Sequence, residues 1–489
     1  MKQFFLLSLV FIASILVVSC DTKAKKENLL KAVLAHYQSP ADSLQRKSAV
    51  FLIENIDGLS TGKSETADLG NVDSDYLIKN IDLAVKAASA QLRDGSLSFA
   101  DFCEYVLPYR LANEPLTDWR QQGLKQFAFL LDTFRLAEPP NMDLTTNINS
   151  KITPGFTYSP TAEPAQYQSW GQLMENKKGN CWAMTSLLNY PLRALGVAVA
   201  TDFVPRWGNN NGETHAWNAL RISDKKWVPF MGCESPPGQF DPFGIVTAKR
   251  FPGKIFRKTY SINRETLPHL ISDQDDIPYQ LLNDRIIDVT DLYLPVGDIA
   301  VKLDNPDIKM AYLSVFSNGD WSPVFWSKME NNQYLFRKMA RRVLYMPSTY
   351  ASGDGTKPVG APLYIDSLGK IVICKPALKK RTSIAIKTVQ SMAFDELDVF
   401  SSGKKGLDFT LAMDSICLGL KWSPPILNQT YNLFYWDNGW QFVGKQKKNA
   451  TRPLQFDNVP SGAIYRLLPE NPTNKERIFT YANGKQTWL

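Results

Sequence analysis

A chain of 489 residues is too long for a single hydrophobic core and is expected to form several domains of roughly 100–200 residues each. Hydrophobic residues make up 44% and charged residues 21%, the balance of a packed protein, which excludes a disordered or collagen-like chain. The net charge of +7 is thinly spread, with no long basic run and no zinc-finger spacing, which argues against nucleic-acid binding.

Met1-Lys2-Gln3 is a short positive start, and Phe4 to Val18 is almost continuously apolar. A run of about 15 residues is short for a membrane-spanning helix. It ends in Val17-Val18-Ser19-Cys20, after which Asp21-Thr22-Lys23 is polar. This ending resembles the lipobox of bacterial lipoproteins, which implies a signal peptide over 1–19 and lipid on Cys20. An ordinary secretory signal that happens to end near a cysteine is the competing reading. The lipobox reading puts the protein in the bacterial cell envelope as a lipid-anchored protein, with the outer membrane favoured, tethered to the membrane and not embedded in it. Five other cysteines follow, at 103, 181, 233, 374 and 417. An odd number leaves at least one thiol without an intramolecular partner, which permits a cysteine nucleophile.

Residues 20–149 read as a helical region. Leu29, Leu30, Val33 and Leu34 recur at helical spacing, as do Leu77, Ile78, Ile81 and Val85. Ser98 is placed to cap a helix running through Phe102 and Val106, and Asp118 to cap another through Leu124, Phe127 and Leu130. Pro139-Pro140 breaks the pattern. Residues 150–285 turn to mixed α/β, with a helix just after Cys181 and short strands at Val197–Phe203, His215–Ile222 and Trp227–Phe230. Gly196 suits a helix C-terminus, and Pro191 is expected to kink or shorten the helix before it. From 286 the chain reads as β, in modules over 286–381 and 382–489. Strands are expected at Ile299–Leu303, Ala311–Phe316, Val324–Trp326, Arg342–Tyr345 and Lys370–Cys374. Asn318-Gly319 and Asn438-Gly439, each beside tryptophan, are strong hairpin signals. The fold class expected is α+β: a helical N-terminal region, an α/β core, then β-sandwich-like modules.

The chemistry-bearing stretch runs from Gly179 to Glu234. Cys181 follows a Gly-Asn turn and opens an apolar helix, so backbone N–H groups and the helix dipole favour thiolate at its sulfur. The same donors suit an oxyanion hole. His215 starts a strand 34 residues later (215 − 181), where an imidazole can serve a thiol as base.

Gly179-Asn180-Cys181-Trp182, Thr214-His215-Ala216-Trp217 and Trp227-Val228-Pro229 together resemble the transglutaminase-like superfamily, over roughly 150–245. That group, built on a papain-like Cys-His core, includes transglutaminases, microbial cysteine proteases and peptide N-glycanases. The resemblance implies Cys181 as nucleophile and His215 as its base. The family's third strand ends in an aspartate that orients the histidine; here Met231 occupies that slot. Glu234 is the nearest acid, ahead of Asn218 and Asp241. Asn180, Trp182 and Trp207 are the candidate substrate-binding residues, Trp207 as the lining of a cleft, although Trp182, like Trp217 and Trp227, also suits simple packing. His36 reads as a surface or cap residue and His269 as structural. Cys233 beside Glu234 has no partners at zinc spacing, so no metal and no cofactor is expected.

The implied reaction is acyl transfer through a thioester, which makes the protein a protease, peptidase or amidase acting on a peptide, protein or glycopeptide. The competing function is a binding protein for a protein or glycan ligand that keeps the domain as a degenerate scaffold. The β modules would position substrate or bind partners.

Overall fold

The computed structural model describes residues 21–62, 66–134, 140–162, 164–209, 214–243, 250–391, 421–473 and 476–489. Cys20 and Cys417 lie outside the described residues. Among the described residues no helix is long and apolar enough to cross a membrane. The architecture is α+β, helical first and strand-rich after residue 295. The chain forms two compact units: Met1–Thr201, Trp217–Phe240 and Lys258–Ile262 in the first, and Asp202–Ala216, Asp241–Arg257 and Asn263–Leu489 in the second.

In the first unit the N-terminal helices are part of the core. Leu52, Leu77, Ile81, Phe102 and Val106 share one apolar cluster with Ala198, Ala200, Ala219 and Tyr260 of the mixed region. Polar groups stitch the same contact. The Glu104 carboxylate accepts from the Tyr260 and Ser261 N–H groups, and Arg221 Nε donates to Asp101 Oδ2 at 2.7 Å. Ser98 caps Phe99–Tyr105 through the Asp101 N–H, as the sequence leads one to expect, whereas Asp118 makes no side-chain cap for Trp119–Phe127.

The helix Cys181–Ala194 runs on for three residues past Pro191. Proline there removes a single late hydrogen bond, and packing compensates. A Cβ on Gly123 would lie 2.9 Å from Ala194 Cβ and 3.5 Å from Pro191 Cα, so Trp119–Phe127 rides directly on this helix end. Gly196 then turns the chain with φ +80°, its missing side chain leaving room for the Ala87 carbonyl.

The second unit holds both β segments. Strands run in the order Val296–Val301, Gln333–Ala340, Asp320–Glu330, Met310–Ser317, Leu344–Ala351, Leu363–Ile365, Ile371–Ile373. The sheet curls until Ile365 packs against Gly297 and the Arg342 N–H donates to the Ile365 carbonyl. Beyond it, the pair Ala377–Ile386 and Leu454–Ser461 packs on a five-stranded sheet through Ile384, Phe456, Tyr431, Leu433, Tyr465 and Phe479. Both Asn-Gly turns close the hairpins expected of them, with positive φ at each asparagine and glycine. Their tryptophans meet. Trp321, Trp436 and Phe316 join Leu344, Met346, Ile464 and Ile478 in one further core.

Buried ion pairs fix the connecting strands. Asp202 is fully buried, accepts from Arg257 Nε and Nη2 at 2.7 and 2.8 Å, and accepts the Tyr293 hydroxyl at 2.6 Å. The bidentate geometry and third donor are what a buried carboxylate needs to offset its desolvation.

Candidate functional site

Cys181 is the first residue of its helix and is 6% exposed. Asn180 is the N-cap; its side-chain oxygen accepts from the Trp182 and Ala183 N–H groups at 3.1 and 3.4 Å. Those two donors, offered by the sequence as part of an oxyanion hole, are therefore engaged by the cap. Gly179 permits the turn because a Cβ there would sit 2.2 Å from Ala183 Cβ. Gly179→Ala must push the turn off the helix and is expected to destabilise by about 2 kcal/mol, read from the urea midpoint. Trp182 is half-buried, with the Lys258 ammonium 5.3 Å from its ring centre.

The strand Lys226–Phe230 ends in a tight turn. Met231 is 1% exposed, bridges to Ser235, and accepts at its carbonyl from the Ser235 and Glu234 N–H groups. Met231, set at the acid slot by the resemblance, is a buried apolar side chain, and Glu234 sits half-buried in the turn after it. Gly232 is jammed against the cysteine helix, where a Cβ would meet the Met184 carbonyl at 2.1 Å. Asn149 clamps the turn from a third element, donating to the Met231 carbonyl at 3.3 Å and accepting from the Cys233 N–H at 2.7 Å. Burial and the charge of Glu234 push the Cys233 thiol up to about 12, which makes it an inert packing residue.

Asn218 does not orient a histidine from this position: its amide is spent inside the first unit. It donates to the Thr185 carbonyl and to Asn189 Oδ1, both at 2.9 Å, and accepts from the Gly232 N–H at 3.0 Å. One side chain thereby ties the cysteine helix to the strand His215–Ser223 and to the turn after Phe230. The signal was present in the sequence as a lone amide within Ala216-Trp217-Asn218-Ala219-Leu220.

His215 and Trp207 belong to the second unit. Trp207 is 2% exposed, so it is a buried wall and not the lining of an open cleft. Its ring stacks on the imidazole with centroids 6.1 Å apart at 30°, and the Arg250 guanidinium lies 4.6 Å from the indole centre. Burial, helped by the Arg250 charge, holds the His215 pKa down at about 3. The imidazole is therefore neutral at pH 7, the form that accepts a proton. An unfolded chain protonates this histidine below about pH 6.5, while the folded chain does so only near pH 3. Stability should accordingly fall with pH through that window. Discounted for partial exposure, the loss is about 2 kcal/mol at pH 4. Urea unfolding at pH 7 and pH 4 should show a shallower acid decline in His215→Gln than in wild type.

The other candidates are placed simply. His36 is on the helix spanning 21–36, edge-on to Tyr37, and His269 meets Asp284 at 3.2 Å. Trp227 packs edge-to-face on Tyr105 in the core. Asp241 caps its own loop through the Phe243 N–H. The sequence did not point to Asn149, Arg250 or Lys258.

Residues 130–231 match the model of the Transglutaminase-like superfamily. No curated protein matches the chain. Among solved structures it is similar to a proposed cysteine protease from Cytophaga hutchinsonii, at 13% identity and a TM-score of 0.20. That match covers 32% of this chain and 52% of the other, so the chain spans about half the length of that protein. The family match takes in Asn180, Cys181, His215 and the strand through Phe230, and this stretch of the chain is similar to the transglutaminase-like superfamily.

Proposed function

We propose that this protein is a cysteine acyl-transfer hydrolase acting on peptide or carboxamide bonds. The observation that carries the reading is Cys181 at the first position of an asparagine-capped helix inside the family-matched segment. Cys181 sulfur attacks the carbonyl carbon, and its proton passes to His215. The C–N bond breaks as the imidazolium gives that proton to the leaving amine, leaving a thioester. Water, deprotonated by His215, then attacks the thioester and releases the acid and the thiol. Glu234 is the nearest acid in sequence to the slot that Met231 fills. Water is favoured over an amine as acceptor for a single envelope protein. Glycopeptides are included because peptide N-glycanases share the superfamily.

Incubation with peptide and glycopeptide pools, followed by intact mass measurement, tests the reaction. A hydroxylamine-sensitive acyl adduct that maps to Cys181 supports it. Ligand retention without an adduct or product would instead favour the binding protein, a reading that the buried Met231 in the acid slot also supports. The lipid anchor is a separate proposal. Metabolic labelling with an alkyne fatty acid should mark the wild type and be lost in Cys20→Ser.

A further inference from the structure

We infer that the C-terminal β modules form the seat of His215, with Arg477 as a positioning residue acting through Gly208 and Trp207. The functional importance of that seat rests on the acyl-transfer reading; its geometry does not. Arg477 is 1% exposed and spends its guanidinium on backbone carbonyls drawn from separate segments. It donates through Nη1 to Phe316, and through Nη2 to Gly208 and Leu489, each of the latter two at 2.8 Å.

Those segments are what the two matched hairpins build. Phe316 lies edge-on to Trp321 at 5.2 Å and to Trp440 at 6.1 Å, and Trp436 meets Trp321 at 5.8 Å and Trp440 at 5.1 Å. The guanidinium of Arg477 rests 5.8 Å from the Phe316 ring centre. An arginine that only joined the two β modules would need Phe316 and Leu489. The third carbonyl, 269 residues away in sequence, belongs to the loop that carries Trp207.

That loop is pressed flat on the first β module. The Gly208 N–H donates to the Phe251 carbonyl at 2.7 Å, and Trp207 bridges to Pro252. A Cβ on Gly208 would sit 2.4 Å from Val343 Cγ1 and 2.8 Å from the Phe251 oxygen. Trp207 is thus held between a fixed backbone and the imidazole it stacks on. The line of contact runs from Arg477 to Gly208, to Trp207, to His215. Among the described residues, Arg250, over the same indole, is a charged group that acts on the imidazole.

The chain has only three histidines, so its imidazoles can be followed singly by NMR in full-length protein labelled at histidine Cε1. His215→Gln identifies the His215 signal. In wild type that signal should stay neutral until about pH 4 or below. Arg477→Met should raise its midpoint by about one pH unit or more toward the ordinary value near 6.5, with His36 and His269 unmoved. Arg477→Lys should fall between the two. Gly208→Ala, which wedges the loop off Val343 with Arg477 intact, should shift His215 in the same direction.

An unmoved His215 midpoint in folded Gly208→Ala or folded Arg477→Met overturns the inference. Should Arg477→Met unfold, Gly208→Ala alone decides. Iodoacetamide labelling of Cys181 in the same wild-type sample reports separately on the proposed reaction. Slow labelling there with a shifted His215 in the variants would sink the reaction and leave the seat standing.

Discussion

Replacing Cys181 with alanine is expected to abolish acyl-enzyme formation and to cut turnover by about 10⁴-fold or more, with the fold retained. The argument is one of position. The first residue of a helix sits at the positive end of the helix dipole, and there a thiolate is favoured. The other described cysteines lack that setting. Cys103, Cys233 and Cys374 are buried, and burial pushes all three thiols up, Cys233 and Cys374 to about 12. Cys374→Ala is therefore the matched control and should leave turnover within about twofold. Because Cys181 is small and 6% exposed, alanine should cost the fold only about 1 kcal/mol. Loss of activity with an unchanged urea midpoint would assign the effect to chemistry. Retained activity in Cys181→Ala would rule out the mechanism.

Asn218→Leu is expected to be the costliest single change in the scaffold, destabilising by about 4 kcal/mol. Leucine fills much of the volume but leaves the Thr185 carbonyl, the Asn189 amide and the Gly232 N–H without the partner each now has. Each buried group so stranded costs roughly 1–3 kcal/mol. Asn218→Asp keeps the acceptor for Gly232 and loses the donors, so it should fall between leucine and wild type. Urea midpoints of the three proteins check the order. Equal stability of Asn218→Leu and wild type would show that the three bonds contribute nothing net.

Local chemistry was legible in the sequence, and long-range closure was not. The Asn-Gly hairpins, the Ser98 cap and the Gly196 turn each follow from the conformational demands of a few adjacent residues, and each forms where expected. Pro191 does not end its helix, which runs on to Ala194 where Gly123 packs closely against it. The strands around the histidine fared less evenly. His215–Ser223 and Lys226–Phe230 are nearly as read, but nothing near Asp202 announced that its partner would be Arg257, 55 residues on. Glycines 179, 208 and 232 are where the fold most needs missing atoms. A single sequence shows them only as glycines, because the atoms a side chain would strike come from elsewhere in the chain. The two tryptophan hairpins are legible one at a time as Asn-Gly turns, but not as partners. They are two halves of one packed cluster.

Thiol reactivity tests the central claim most directly: iodoacetamide labelling of the folded protein across pH 5–9, mapped by mass spectrometry, in wild type and His215→Ala. The account predicts that Cys181 labels at pH 7 well ahead of Cys103, Cys233 and Cys374, and that His215→Ala slows it about tenfold or more. Cys181 labelling no faster than an ordinary thiol, and indifferent to His215→Ala, would contradict the account and leave a binding protein on a transglutaminase-like scaffold.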